Sequence, residues 1–149
     1  MLRTLLWDPL EPVATRPLAL VQGASLHCYG MDFNKNVTEV FDAQGTIAAA
    51  YDYSPYGAVT GTGSLGQPVQ WSGEMHDEEP ALAYYNYRFY NPKDGRWINR
   101  DPIAEQGGWN LYGFVRNSPY IFNDLNGNDR YISQILPDQL SDMTFTLHI

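Results

Sequence analysis

The residues of this 149-residue chain best suited to chemistry fall between Arg88 and Pro119, in RFYNPKDGRWINRDPIAEQGGWNLYGFVRNSP. Arg100 and Asp101 stand side by side before Pro102, Glu105 follows, and Asp124 comes farther on in Phe-Asn-Asp-Leu-Asn-Gly. A carboxyl group can work as general acid or base when burial or a neighbouring charge shifts its pKa. An Asp-Pro step is equally a turn opener, its carboxylate accepting backbone amides. Both uses of Asp101 are open at this level.

Other chemistries are poorly served. Cys28 is the only cysteine, so no internal disulfide forms, and no partner for thiol catalysis accompanies it. His27, His76 and His148 lie far apart, without a second ligand at zinc-binding spacing, and no metal or cofactor is expected. The formal charge is −8 with only two lysines, Lys35 and Lys93. That balance speaks against nucleic acid and against anionic lipid, both of which need a basic surface, and plain solubility accounts for it. No stretch is long and apolar enough for a membrane span, and MLRTLLWDPLEP lacks the apolar run of a signal peptide. A released fragment of a larger exported protein would look the same.

The elements that would hold these residues read as β-structure. Eleven Tyr, six Phe and four Trp favour pleated surfaces. Asn36–Phe41 alternates loosely, with Val37, Glu39 and Phe41 on one face. Asp42–Gly45 is a turn, Thr46–Tyr53 a second strand, Ser54–Gly57 another turn, and Ala58–Thr60 the start of a third strand. Turn signals recur about every 10 to 12 residues, the spacing of stacked antiparallel hairpins. Thr60–Pro68 reads as a flexible link, Val69–Gly73 as a short strand and Glu74–Pro80 as an acidic loop. Ala81–Tyr90 reads as one strand closed by the Asn91–Gly95 turn, with Tyr85, Tyr87 and Phe89 on one face. Trp109–Asn117 suits a short helix or a strand, and a short helix is expected at Ile132–Leu136, before Pro137.

Two segments resemble a known family. YDYSPYG, with the earlier DFNKNVTEVFDAQG, is similar to the tyrosine–aspartate (YD) repeat of Rhs and related bacterial toxin proteins. LAYYNYRFYNPKDGRWINRDPI, then GGWNLYGFVRNSPYIFNDLNG, resembles the Rhs repeat-associated core that follows such repeats. The likeness runs from about Tyr29 to Gly127. It implies a mainly β chain of antiparallel stacked hairpins with one or two short helical turns. In the family, repeats coil into a hollow shell, the core closes one end, and a toxin is enclosed. The division implied is an extended Pro-rich arm over 1–28, YD-repeat-like hairpins over 29–60, a core-like segment over 61–127 and a variable tail over 128–149.

In several members the core cuts the chain just after itself by an aspartic-protease-like reaction, and an Arg–Asp pair at this motif belongs to the site. Carried over, the pair is Arg100 and Asp101. The second acid comes shortly downstream in cleaving members, where this chain offers only Glu105, and then Asp124. The Asp-Pro-x-Gly-Leu pattern that marks the cut reads here as Asp124, Leu125, Asn126, Gly127, Asn128, without the Pro and the terminal Leu. The function implied first is structural: the terminal segment of a toxin-encapsulating β-shell. Self-cleavage is the alternative, and a carbohydrate-binding or self-assembly module a third. The partners expected are an upstream YD-repeat shell or other copies by strand pairing, a toxin cargo and carbohydrate, with a secreted or cell-surface location.

Overall fold

A computed structural model describes residues 2–11, 15–119, 121–124, 127 and 131–132; for 107, 123, 131 and 132 only the backbone is described. The chain is mainly β, as expected, with three short 3-10 turns among the described residues.

The first sheet is an antiparallel meander of six strands in sequence order: β1 (Arg3–Trp7), β2 (Pro17–Gln22), β3 (Ser25–Met31), β4 (Val37–Phe41), β5 (Ile47–Tyr53) and β6 (Val59–Gly63). The turns form where their residue types require them. Asp42 Oδ1 accepts the amides of Gln44 and Thr46, and Ser54 Oγ accepts that of Ala58, so each side chain replaces a missing ladder partner. The Pro-rich start is not a separate arm in space. β1 to β3 continue the same sheet across residue 28, and Lys35 ties the β1–β2 connection down by an ion pair to Glu11 at 2.7 Å and a hydrogen bond to Thr15 at 3.1 Å. The link foreseen at Thr60–Pro68 begins as strand β6.

Strict alternation fails in β4. Val37 and Val40 are both buried, three residues apart. Gly30 faces Glu39 while Met31 faces Val37, so Thr38 is the extra residue of a bulge and side-chain parity slips by one. Val37 and Val40 thereby enter one core with Ala49 and Val69, covered by Leu5, Trp7 and Tyr29.

The second sheet has the order β10-β9-β8-β7, from β7 (Met75–Asp77), β8 (Leu82–Tyr85), β9 (Arg88–Asn91) and β10 (Arg96–Trp97). Three readings change here. Val69–Gly73 is no strand but a bridge residue leading into a 3-10 turn at Trp71–Gly73. The acidic loop opens with β7. The single strand expected over Ala81–Tyr90 is a hairpin, reversed at Asn86 and Tyr87, with Tyr85 opposite Arg88 and Ala83 opposite Tyr90. A two-residue reversal puts i and i+3 on one face. Tyr85, Arg88 and Tyr90 therefore point inward, and Tyr84 and Phe89 form the outer ring pair at 5.0 Å. The common ring face of Tyr85, Tyr87 and Phe89, on which carbohydrate stacking rested, does not form.

The second core gathers Trp71, Ala83, Tyr85, Tyr90, Trp97, Phe114 and Val115. Its rings meet mostly edge to face, Tyr85 on Trp97 at 5.0 Å and 83°, the arrangement ring quadrupoles favour. Tyr90 donates its hydroxyl to the carbonyl of Tyr56 at 2.7 Å, joining the second sheet to the turn after β5. Trp109–Asn117 is neither helix nor strand. It is a run of turns with a bridge from Gly113 to Arg96 and a 3-10 turn at Val115–Asn117. Last comes a two-stranded ribbon of β11 (Phe122–Asn123) and β12 (Tyr131–Ile132). Apart from Ile132 in β12, the helix expected at Ile132–Leu136 lies outside the described residues.

Candidate functional site

The site is built around a residue to which the sequence assigned no chemistry. Arg88 opens β9, and the two-residue turn before it aims its side chain inward beside Tyr85. There the guanidinium carbon lies 4.0 Å from the centroid of the Trp97 ring, a cation–π contact removed from water.

All three kinds of guanidinium nitrogen are used. Nη1 donates to Asp101 Oδ2 at 2.9 Å and Nη2 to Asp124 Oδ2 at 3.2 Å. Nε donates to the carbonyl of Gly127. The remaining carboxylate oxygens are engaged too. Asp101 Oδ1 accepts the amide of Ile103 at 2.9 Å, and Asp124 Oδ1 accepts that of Gly127 at 2.7 Å. Burial pulls the Arg88 pKa down, and the two aspartates oppose that pull. An arginine keeps its proton under such conditions.

The structure thus brings Asp101 and Asp124 onto one cation. Arg100 does not join them: it is exposed and makes no ion pair among the described residues. Glu105 is exposed on the 3-10 turn Ala104–Gly107. Asp101 also opens a turn, its carbonyl accepting the amide of Ala104 at 3.1 Å, so the turn use open in the sequence is realised together with the ion pair.

A third carboxyl group stands beside these. Glu74 is only 6% exposed. It follows the Trp71–Gly73 turn, whose Ser72 and Gly73 have φ of 55° and 68°. A Cβ on Gly73 would lie 2.0 Å from the Thr15 carbonyl, so only glycine lets this turn press against the start of β2. Burial first, and the charge of Asp124 second, raise the Glu74 carboxyl to about 8. Near neutral pH it is an uncharged acid that feels the charge of Asp124. Glu74 was hidden in an acidic run that looked like a solvated loop. Arg88 was hidden among rings. The one available signal was a lone cation in a strand otherwise made of aromatic and small residues.

Gly127 itself has φ of 80°, and a Cβ there would come within 2.9 Å of the Tyr85 Cβ. Beside the cluster lies a cavity of about 470 Å³, lined by Arg88, Trp97, Asp101, Trp109, Arg116 and Asp124 among others.

No family model matches the chain. Curated proteins do. It is 34% identical over 92 residues to the toxin subunit YenC2 of Yersinia entomophaga, covering 58% of this chain and 9% of that protein. It is 41% identical over 61 residues to the toxin protein Tse5 of Pseudomonas aeruginosa PAO1, covering 41% of this chain and 5% of that one. Among solved structures, the crystal structure of TcdB2-TccC3-Cdc42 superimposes with a TM-score of 0.67 at 29% identity, over 72% of this chain and 5% of that one. The chain therefore spans less than a tenth of the length of each of these proteins. By sequence and by fold together, the chain is similar to bacterial toxin proteins of this kind, and the expected resemblance to the Rhs-associated core of polymorphic toxins is borne out.

Proposed function

We propose that this chain is a terminal wall segment of a toxin-enclosing β-shell, and that it acts there as a scaffold. One observation carries the proposal: all four carboxylate oxygens of Asp101 and Asp124 are engaged, by Arg88 and by the amides of Ile103 and Gly127. A carboxylate so occupied anchors chain instead of activating water. What it anchors are Asp124 and Gly127, held against β8 and β9. The meander is far too short to close a shell. Its outer strands β1 and β6 have no further partner among the described residues, so an upstream repeat or a second copy can continue the sheet there. The toxin cargo and the secreted setting belong to this same reading.

Self-cleavage is the second reading, and Glu74 favours it. An uncharged carboxylic acid next to an ionised aspartate is the pairing that aspartyl hydrolysis requires, and the Gly127 peptide is held in the same cluster. Intact mass spectrometry of the full chain after prolonged incubation separates the two. The scaffold leaves one species of full mass. Self-cleavage produces a species ending near Asn128 that disappears in Asp101→Asn, and its appearance would overturn the scaffold reading.

A further inference from the structure

The outer face of the second sheet carries one continuous apolar row. Met75 stands opposite Tyr84, Tyr84 stands opposite Phe89, and the Phe89 carbonyl accepts the amide of Ile98, just past β10, at 2.9 Å. Cross-strand partners share a face, so the four side chains run side by side from β7 to β10. Each is 41 to 50% exposed, and the centroids of the Tyr84 and Phe89 rings lie 5.0 Å apart. At the β7 end the row stops at Val69, which bridges to Met75 and is buried in the first core. Single exposed apolar residues are ordinary, but a contiguous apolar patch marks a contact surface.

The next row on the same face shows what fits over it. Asp77 pairs with Leu82, and Asn91 with Arg96. Negative charge collects at the β7 end, in Asp77, Glu78 and Glu79. Positive charge collects at the β10 end, in Arg96 and Arg100, and all five are exposed. The turn between β9 and β10 adds Lys93 and Asp94, one of each sign, and Asn91 donates to the Asp94 carboxylate at 2.8 Å. Arg96 makes no ion pair among the described residues. At this basic end lies a hollow of about 330 Å³, lined by Asn91, Arg96 and Ile98 among others.

We propose that this face packs on the same face of a second copy, about a two-fold axis that runs parallel to the strands between β8 and β9. Such an axis reverses the order of the strands and keeps each row level with itself. Met75 of one copy then lies over Ile98 of the other, Tyr84 over Phe89, and Asp77 over Arg96. The flexible Met75 side chain enters the hollow beside Ile98 of the second copy. The net charge of −8 opposes association, and laying each acidic end on a basic one reduces that repulsion where the copies meet. Four half-exposed side chains are a small contact against the about 800 Å² per partner of a standard interface, so the dimer is weak and fills at roughly 0.1–1 mM chain. This surface is separate from the outer strands β1 and β6, and the dimer needs no shell, cargo or cleavage.

Sedimentation equilibrium of the full chain, from about 20 µM to about 1 mM, should show a reversible monomer–dimer equilibrium in wild type. Phe89→Ser removes an exposed ring from the middle of the row and should raise the dimer Kd about tenfold or more. Asp77→Arg sets like charges over each other, as does Arg96→Asp, and each variant alone should stay monomeric. Mixed in equal amounts the two should dimerise again, because each copy then meets the opposite sign at both ends. That rescue uses no Phe89 variant, so it decides even where Phe89→Ser does not fold. A wild type that stays monomeric throughout overturns the dimer. So does a dimer that survives Asp77→Arg and Arg96→Asp singly, which would place the contact at β1 or β6, and so does a mixture that fails to associate.

Discussion

The guanidinium of Arg88 and the carboxylate of Asp124 meet at 3.2 Å, both side chains only 4% exposed, across 36 residues of sequence. With Asp101 on the second nitrogen, this pairing closes the core onto its own end. Removing Arg88 strands two buried carboxylates, whereas removing the whole set would not. Arg88→Met is expected to cost about 3–5 kcal/mol of stability, read from urea unfolding. Arg88→Lys should recover only part of that, because a single ammonium cannot reach both aspartates and the Gly127 carbonyl in one planar fork. Equal stability of wild type and Arg88→Met would remove the anchor role.

Glu74 gives the fold a pH dependence of unusual sign for a carboxyl group. Its folded pKa, about 8, lies above the ordinary 4.5, so the folded state holds a proton that the unfolded chain releases. Its contribution is fully present below pH 4.5 and is lost as pH rises through about 8. His76 works oppositely, since its lowered pKa makes stability rise with pH as the imidazole loses its charge. The Glu74 part is thus the difference between wild type and Glu74→Gln. Melting temperatures from pH 5 to 8 should fall more steeply, or rise less, in wild type by the equivalent of about 1 kcal/mol per pH unit.

Gly73 and Gly45 both have positive φ, 68° and 81°, but only one is crowded. Alanine at Gly45 meets nothing within 4 Å and should cost about 1–2 kcal/mol, the backbone penalty alone. At Gly73 the new Cβ strikes the Thr15 carbonyl, and the turn that carries Glu74 must move. Gly73→Ala should therefore exceed Gly45→Ala by about 2 kcal/mol or more in chemical denaturation. Similar costs at both sites would contradict the packing of this turn on the start of β2.

Tyr90 and Tyr87 differ by their place in the hairpin. The Tyr90 hydroxyl is bonded to the Tyr56 carbonyl, and the Tyr87 ring stands at an exposed turn. Tyr90→Phe should lose about 1 kcal/mol, whereas Tyr87→Phe should be neutral in the same denaturation experiment.

Local chemistry made much of this fold legible in the sequence. Asp42, Ser54 and Asn91 bond amides within four residues of themselves, so their turns needed no knowledge of distant chain, and the strands between them followed. The side-chain phase did not follow so easily. Thr38 is an extra residue only because β3 pairs with β4 in one register, and the Asn86–Tyr87 reversal keeps a ring-rich run looking continuous while turning Arg88 inward. Asp101 and Asp124 stood out as residue types. Their common cation did not, because an arginine's partner depends on which strands lie side by side. Nor could a run of acids in sequence reveal that Glu74 alone of them is buried, since burial comes from the Gly73 turn pressing on Thr15. The sequence by itself determined hairpins, turns and the family resemblance. The tertiary structure decided which charges share one dry site, because such contacts arise only when segments far apart in the chain pack together.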